Sequence, residues 1–353
     1  MIPSRVVVFQ TAFLGDVILT IPIATALRHV SPESHIAMVV IPSAAPLVEN
    51  HQDIAHVIRY DKHGDDKGLK GARKVIHALR DWNAGVAFVP HRSFRSASIV
   101  RFSGIPRRIG FTTSAASFLY TDKVRYRTTA HEIDRNLDLL IPCGVRPVDR
   151  ILPTLKPNAH DEEIVDDVIS KIPALGSSHM IAVAPGSVWA TKRWVEGGYV
   201  EVSRRLAYRG DSVALIGGSG DEDLCRRIAT GAGERVFSLA GSLTLMQSAA
   251  FLKRCRVLLT NDSAPQHLAG AVGTPVVSIF GPTVTLFGFS PIGPFDEVVE
   301  NTGLYCRPCG IHGGDSCPIG TFDCMEHILP EQVIAALDRV IKRSQSSART
   351  TIP

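Results

Sequence analysis

No apolar run in this 353-residue chain approaches the ~18 residues that a membrane-spanning helix needs. The apolar stretch near the start is broken by Gln10 and Asp16, and Met1 to Arg5 lacks the charged opening of a secretion signal, so a cytoplasmic protein is expected. Neither sign of charge dominates: 38 Lys and Arg against 34 Asp and Glu leave +4. That excess is too small to argue for nucleic acid by itself, and no nucleic-acid partner is expected. Cysteine is sparse as well, and four of the seven fall in one cluster rather than in a disulfide framework. No repeat of 20 to 50 residues marks a solenoid, and no low-complexity block precedes the tail.

The composition, 45% hydrophobic and 20% charged, is that of a globular protein long enough for two cores. A β-branched run, Arg5 to Phe9, is followed by helical apolar spacing from Asp16 to Val30. Short apolar runs at Ile36 to Ile41, Val57 to Tyr60 and Gly85 to Pro90 alternate with helical stretches such as Gly71 to Trp82. This is the rhythm of a parallel sheet. Pro142, Pro147, Pro153 and Pro157 then interrupt it as a linker.

A second series has strands at Met180 to Ala184, Ser212 to Gly217, Arg235 to Leu239, Arg256 to Thr260 and Pro275 to Phe280. Helices are expected near Gly198 to Tyr208, Asp221 to Ala232, Leu243 to Arg254 and Ala264 to Val272. The fold class is therefore α/β, with two facing Rossmann-like domains, residues 1–157 and 158–329, built on parallel sheets. A last helix near 330–343 carries Ile334, Leu337 and Ile341 on one stripe, and Ser344 to Pro353 reads as frayed.

Candidate chemistry lies at strand-to-helix turns, since open α/β sheets bind ligands beyond the carboxyl ends of their strands. Thr260-Asn261-Asp262-Ser263-Ala264 is such a turn: Asp262 suits sugar hydroxyls, and the amides near Ser263 and Ala264 suit a phosphate. His267 follows, either at this site or packed under the sheet. Ser187, Thr191, Lys192 and Arg193 put hydroxyl, ammonium and guanidinium groups where a diphosphate could leave, unless they form an ordinary surface loop. Gly217 and Gly218 would let a nucleoside approach the backbone, with an acid such as Glu222 on its ribose, although acids in a first helical turn are common anyway.

In the first domain, Phe13-Leu14-Gly15-Asp16 replaces the G-x-G-x-x-G of a dinucleotide site, which argues against a pyrophosphate there. Asp16 is either a helix N-cap or a general base for an acceptor hydroxyl. From His91 to Arg127 eight basic residues, among them Arg92, Arg95, Arg107 and Arg108, meet one acid, Asp122. They form either a solvated surface or a face for an anionic partner. Cys306-x2-Cys309-x7-Cys317-x6-Cys324, with His312 and His327 nearby, is either a structural zinc or iron–sulfur site or a loop of reduced thiols.

As a set, Phe13-Leu14-Gly15-Asp16, Ala184-Pro185-Gly186-Ser187 with Lys192-Arg193-Trp194, Gly217-Gly218 to Glu222, and Asn261-Asp262-Ser263 to His267 with Phe280-Gly281-Pro282-Thr283 resemble the ADP-heptose:lipopolysaccharide heptosyltransferases. Ile105-Pro106-Arg107-Arg108-Ile109-Gly110-Phe111 looks like a segment of that family's first domain. The resemblance runs through about 330 residues in order. Pro185-Gly186 and Asn-Asp-Ser place it nearer the enzymes that add the second heptose.

The resemblance implies a GT-B glycosyltransferase with an N-terminal acceptor domain, a C-terminal nucleotide-sugar domain and a last helix crossing back to the first. It implies an inverting transfer that needs no metal cofactor, with Asp16 as base and Lys192 stabilising the leaving diphosphate. Asp262 would hold the heptose, Thr191, Ser263 and Ala264 the phosphates, and Glu222 the ribose. The expected partners are an ADP-activated sugar and an anionic lipopolysaccharide-core acceptor, met at the inner face of the cytoplasmic membrane by Arg92, Arg95, Arg107 and Arg108. One departure concerns the donor turn: Ala264-Pro265-Gln266 stands where the family has a glycine-containing run, and Pro265 lacks an amide N–H. An epimerase or hydrolase of sugar nucleotides and a non-catalytic nucleotide-sugar binder are the alternatives.

Overall fold

A computed structural model describes residues 2–146, 149–176 and 179–350. The chain divides into two compact units, Met1–Thr154 and Leu155–Pro353. Of the expected linker, Pro147 lies outside the described residues, and Pro142 sits in a short turn at Ile141–Cys143.

The first unit is a six-stranded parallel sheet: β1 (Arg5–Phe9), β2 (His35–Val40), β3 (His56–Arg59), β4 (Val86–Val89), β5 (Arg107–Phe111) and β6 (Asp122–Val124). Its helices are α1 (Leu14–Val30), α2 (Pro46–Glu49), α3 (Gly68–Trp82), α4 (Phe94–Phe102) and α5 (Glu132–Asp138). Val6 to Phe9 and Val86 to Val89 are fully buried, as strands covered on both faces by helices must be. The strand order is β3-β2-β1-β4-β5-β6. Connections therefore reverse direction between β1 and β4, and a crevice opens beyond their carboxyl ends.

The second unit repeats the plan with β7 (Met180–Ala184), β8 (Ser212–Leu215), β9 (Val236–Ser238), β10 (Val257–Asn261), β11 (Val276–Phe280) and β12 (Glu297–Glu300). Its order, β12-β11-β10-β7-β8-β9, puts the reversal between β7 and β10. Around it lie α6 (Ala159–Ser170), α7 (Glu196–Tyr208), α8 (Glu222–Ala232), α9 (Leu245–Leu252), α10 (Ala264–Val272), α11 (Asp323–Glu326) and α12 (Pro330–Thr350). The last helix buries Val333, Ala336, Leu337, Val340 and Ile341 in the core of this second unit. The tail expected to fray from Ser344 is helical as far as Thr350, and residues 351–353 lie outside the described ones. Among the described residues no helix is long and apolar enough to cross a membrane.

Candidate active site

The loop from β1 to α1 carries Asp16 to the reversal point of the first sheet. Phe13, not Asp16, is the N-cap of α1, which corrects one of the two readings of that acid. Asp16 is the third helical residue, and its carboxylate accepts the Phe13 N–H at 3.2 Å, the backward half of a capping box. Burial pushes its pKa up to about 7, Glu132 adds repulsion, and the Phe13 amide and Arg92 only partly offset them. An acid near 7 can take a proton at neutral pH more effectively than an ordinary carboxylate.

Two basic side chains from neighbouring loops gather here. Lys62 Nζ donates to the Thr11 carbonyl at 2.5 Å, fastening the loop after β3 to the loop that holds Asp16. Burial and Arg95 lower the pKa of Lys62, while the charge of Asp16 raises it. Arg92, just beyond β4, lies over the Tyr126 ring at 4.2 Å. His91 bonds Thr11 Oγ1 at 3.1 Å and Ser96 Oγ at 3.0 Å. Burial, Lys62 and Arg92 push its pKa down to about 4, so it is neutral and adds no charge.

The four arginines named from the sequence do not form one face. Arg92 and Arg95 follow the carboxyl end of β4, whereas Arg107 and Arg108 open β5, which runs parallel to β4 with Val86 opposite Arg107. The second pair is thus at the amino end of the sheet. Arg107 is bonded to Asp122 at 3.0 and 3.2 Å, and the Arg108 guanidinium donates to the carbonyls of Ile105, Pro106 and Leu119. Both are occupied in holding the β5–β6 edge.

In the second unit the loops after β7 and β10 meet at the reversal point. Lys192 Nζ donates to Asp262 Oδ2 at 2.6 Å, Thr283 Oγ1 donates to the same oxygen at 2.7 Å, and Gln266 Nε2 donates to Oδ1 at 3.2 Å. Side chains of Lys192 and Asp262 are only 12% and 7% exposed. Ser278 Oγ in turn donates to Gln266 Oε1 at 2.8 Å. Asn261, fully buried, ties the loops together: its amide donates to the Pro185 carbonyl at 2.8 Å, and its oxygen accepts from Trp194 N at 2.9 Å and Tyr199 OH at 2.8 Å.

The remaining donor candidates divide. Ser263 caps α10 and Pro265 lies in its first turn, where its missing N–H removes only a donor that the helix itself leaves unpaired. Arg193 Nε donates to the Ser187 carbonyl at 2.8 Å, fixing the loop between them. The Thr191 hydroxyl is engaged elsewhere: it donates to Gly314 O at 2.9 Å and accepts from Gly314 N at 2.8 Å. Gly218 is open, but Gly217 and Gly186 lie so close to the Asp221 carboxylate that a Cβ on either would come within 2.7 Å of it. Asp221, bonded to Gly218 N at 3.0 Å, is thus the acid inside that turn, and Glu222 is exposed beside Gly241. His267 is 8% exposed, with Nε2 3.3 Å from the Gln266 amide.

The four spaced cysteines are neighbours: burial, Cys306 and Cys317 raise the pKa of Cys309, and burial, Cys309, Cys317 and Cys306 raise that of Cys324 against the opposing charge of Arg307. Cys309 is exposed with Sγ directed to the Cys306 carbonyl at 3.4 Å, Cys317 accepts from Phe322 N at 3.4 Å, and Cys324 is buried in α11. Among the described residues no three His, Cys, Asp or Glu side chains are grouped so as to hold a metal. Lys62, Gln266, Glu132 and Asp221 were not singled out from the sequence. Of these only Asp221 carried a signal, its place directly after Gly217-Gly218-Ser219-Gly220.

Two doubly wound parallel sheets in succession, each with polar side chains gathered at its reversal point, are the plan of the GT-B glycosyltransferases. The chain belongs to glycosyltransferase family 9 (heptosyltransferase), whose model matches residues 72–313. It is 24% identical over 352 residues to lipopolysaccharide heptosyltransferase 2 of Escherichia coli K12, covering 97% of this chain and all of that one. Its fold is similar to that of a family 9 glycosyltransferase from Veillonella parvula, with a TM-score of 0.86 at 23% identity, 97% of this chain and 98% of that one being covered. It is also similar to E. coli ADP-heptose lps heptosyltransferase II, at a TM-score of 0.79 and 22% identity, with 97% and 99% covered.

Proposed function

We propose that this protein transfers heptose from an ADP-activated donor to an anionic lipopolysaccharide-core acceptor, with inversion at the anomeric carbon. Asp16 takes the proton of the acceptor hydroxyl, the hydroxyl oxygen bonds to the anomeric carbon, and the bond from that carbon to the diphosphate breaks with its electron pair on the leaving oxygen. Lys192 and Arg193, with the amides at Ser263 and Ala264, meet the developing charge of the diphosphate. Asp262 holds sugar hydroxyls, its position set by Thr283 and Gln266. The second unit supplies its own cations, so a divalent ion is not required for leaving-group departure.

Arg92, Arg95 and Lys62 favour an acceptor bearing phosphates or carboxylates, and such an acceptor brings the enzyme to the inner face of the cytoplasmic membrane as a peripheral protein. The observation that carries this reading is Asp16, an acid raised to about 7 at a strand-to-helix turn and flanked by cations. Ligand-detected binding across a panel of nucleotide sugars tests it. Preference for ADP-linked sugars over UDP- and GDP-linked ones is expected, and preference for a uridine or guanosine diphosphate sugar overturns the donor assignment.

A further inference from the structure

The helix α4 is fastened at both ends. Ser93 caps it, accepting from Ser96 N at 3.1 Å, and Arg80 from the end of α3 donates to the Phe102 carbonyl at 2.8 Å. Ala97, Ile99 and Val100 bury one side of it in the core of the first unit. The side turned outward carries Phe94, Arg95, Arg101 and Phe102, with the half-buried Ser98 between them in the helical period. Phe94 and Phe102 are 59% and 62% exposed. A surface helix ordinarily turns charged and polar groups to water. Here two of the five outward residues are phenylalanine, two are arginine and none is acidic.

Phe118 extends this face. It is 70% exposed in the short turn Ser117–Leu119, while Ala116 and Leu119 on either side of it pack into the core that α4 covers. The Ala115 N–H donates to the Arg92 carbonyl at 3.2 Å and ties the approach to that turn to the start of α4. On α3, which packs beside α4, Lys70 and Arg73 are exposed and add positive charge. From Trp82 to Thr121 the chain has no Asp or Glu. Single exposed apolar side chains need no explanation, but three phenyl rings on one rigid, basic, acid-free face mark an interaction surface.

We propose that the outward face of α4, together with Phe118, docks on an anionic lipid bilayer. Phe94, Phe102 and Phe118 enter the boundary between headgroups and acyl chains, and Arg101 meets lipid phosphates. The inference rests on the reading of an acceptor held at a membrane. Charge complementarity selects the occupant, since a face with cations and no carboxylates is drawn to a surface of phosphates. The helix begins two residues after Arg92, so a bilayer on this face adjoins the cations proposed to meet the acceptor.

Sedimentation of the full chain with acceptor-free vesicles of phosphatidylglycerol and phosphatidylcholine in equal parts tests the face. Binding should exceed that to phosphatidylcholine alone, and it should fall about 10-fold or more in Phe102→Ser with Phe118→Ser. Arg101→Glu, which removes no phenyl ring, should weaken it about 5-fold or more. All three positions are exposed, so both variants should unfold at the temperature of the parent and keep its turnover on an acceptor freed of acyl chains. Equal vesicle binding by the parent and both variants overturns the proposal, and so does a parent that binds neither vesicle or that self-associates through these rings instead. Vesicle binding as expected, with no transfer to a lipopolysaccharide-core acceptor, overturns the activity and leaves the docking face standing.

Discussion

Lys192 and Asp262 neutralise each other at 2.6 Å with little solvent access, so neither can be removed without exposing the other. Lys192→Ala should lower the transfer rate by roughly 10²- to 10³-fold through loss of leaving-group stabilisation. It should also cost about 3–5 kcal/mol of stability, because Asp262 keeps a buried charge without its partner. Adding Asp262→Asn should recover the stability and not the rate, and thermal unfolding beside steady-state kinetics separates the two. Recovery of the rate would count against Lys192 as the group that meets the diphosphate. Asp262 and Lys192 were legible in the sequence because each follows an apolar strand. Their pairing across 70 positions was not, and nothing in His131-Glu132-Ile133-Asp134-Arg135 distinguishes a buried carboxylate from a solvated helix start.

At the scale of elements, the loops after β7 and β10 depend on one side chain. Asn261→Ala leaves the Pro185 carbonyl, the Trp194 amide and the Tyr199 hydroxyl without their partner, and each buried polar group so stranded costs about 1–3 kcal/mol. Urea unfolding should show a loss on the order of 3 kcal/mol or more, less only where water enters. A loss under ~1 kcal/mol would mean that the three groups find other partners. Strands rich in β-branched residues, such as Arg5–Phe9 and Met180–Ala184, are readable from their apolar runs alone. β5 is harder to read: it opens with Arg107 and Arg108, and it contains Gly110, whose missing Cβ makes room for the Tyr120 ring. β12, Glu297–Glu300, has an acid at each end and only two apolar residues between them. Such strands are specified by their neighbours in the sheet rather than by their own periodicity.

For the whole molecule, the alternation of strands and helices on either side of the proline-rich segment was enough to expect two parallel sheets, and both have the same doubly wound order. The stripe on the last helix was legible too, although the core that it enters was not, since apolar spacing does not name the surface it covers. The cysteine spacing left a metal centre and a loop of reduced thiols both open, and among the described residues no three His, Cys, Asp or Glu side chains are grouped so as to hold a metal. The proposal that Lys192 and Arg193 meet the diphosphate predicts that added EDTA leaves transfer intact, and rapid inactivation of the folded enzyme would contradict a metal-independent departure. The most direct measurement is turnover and ADP binding by Asp16→Asn. A loss of about 10²- to 10⁴-fold in transfer at unchanged ADP affinity is the predicted result, and turnover equal to that of the parent enzyme would contradict the account of Asp16 as the base.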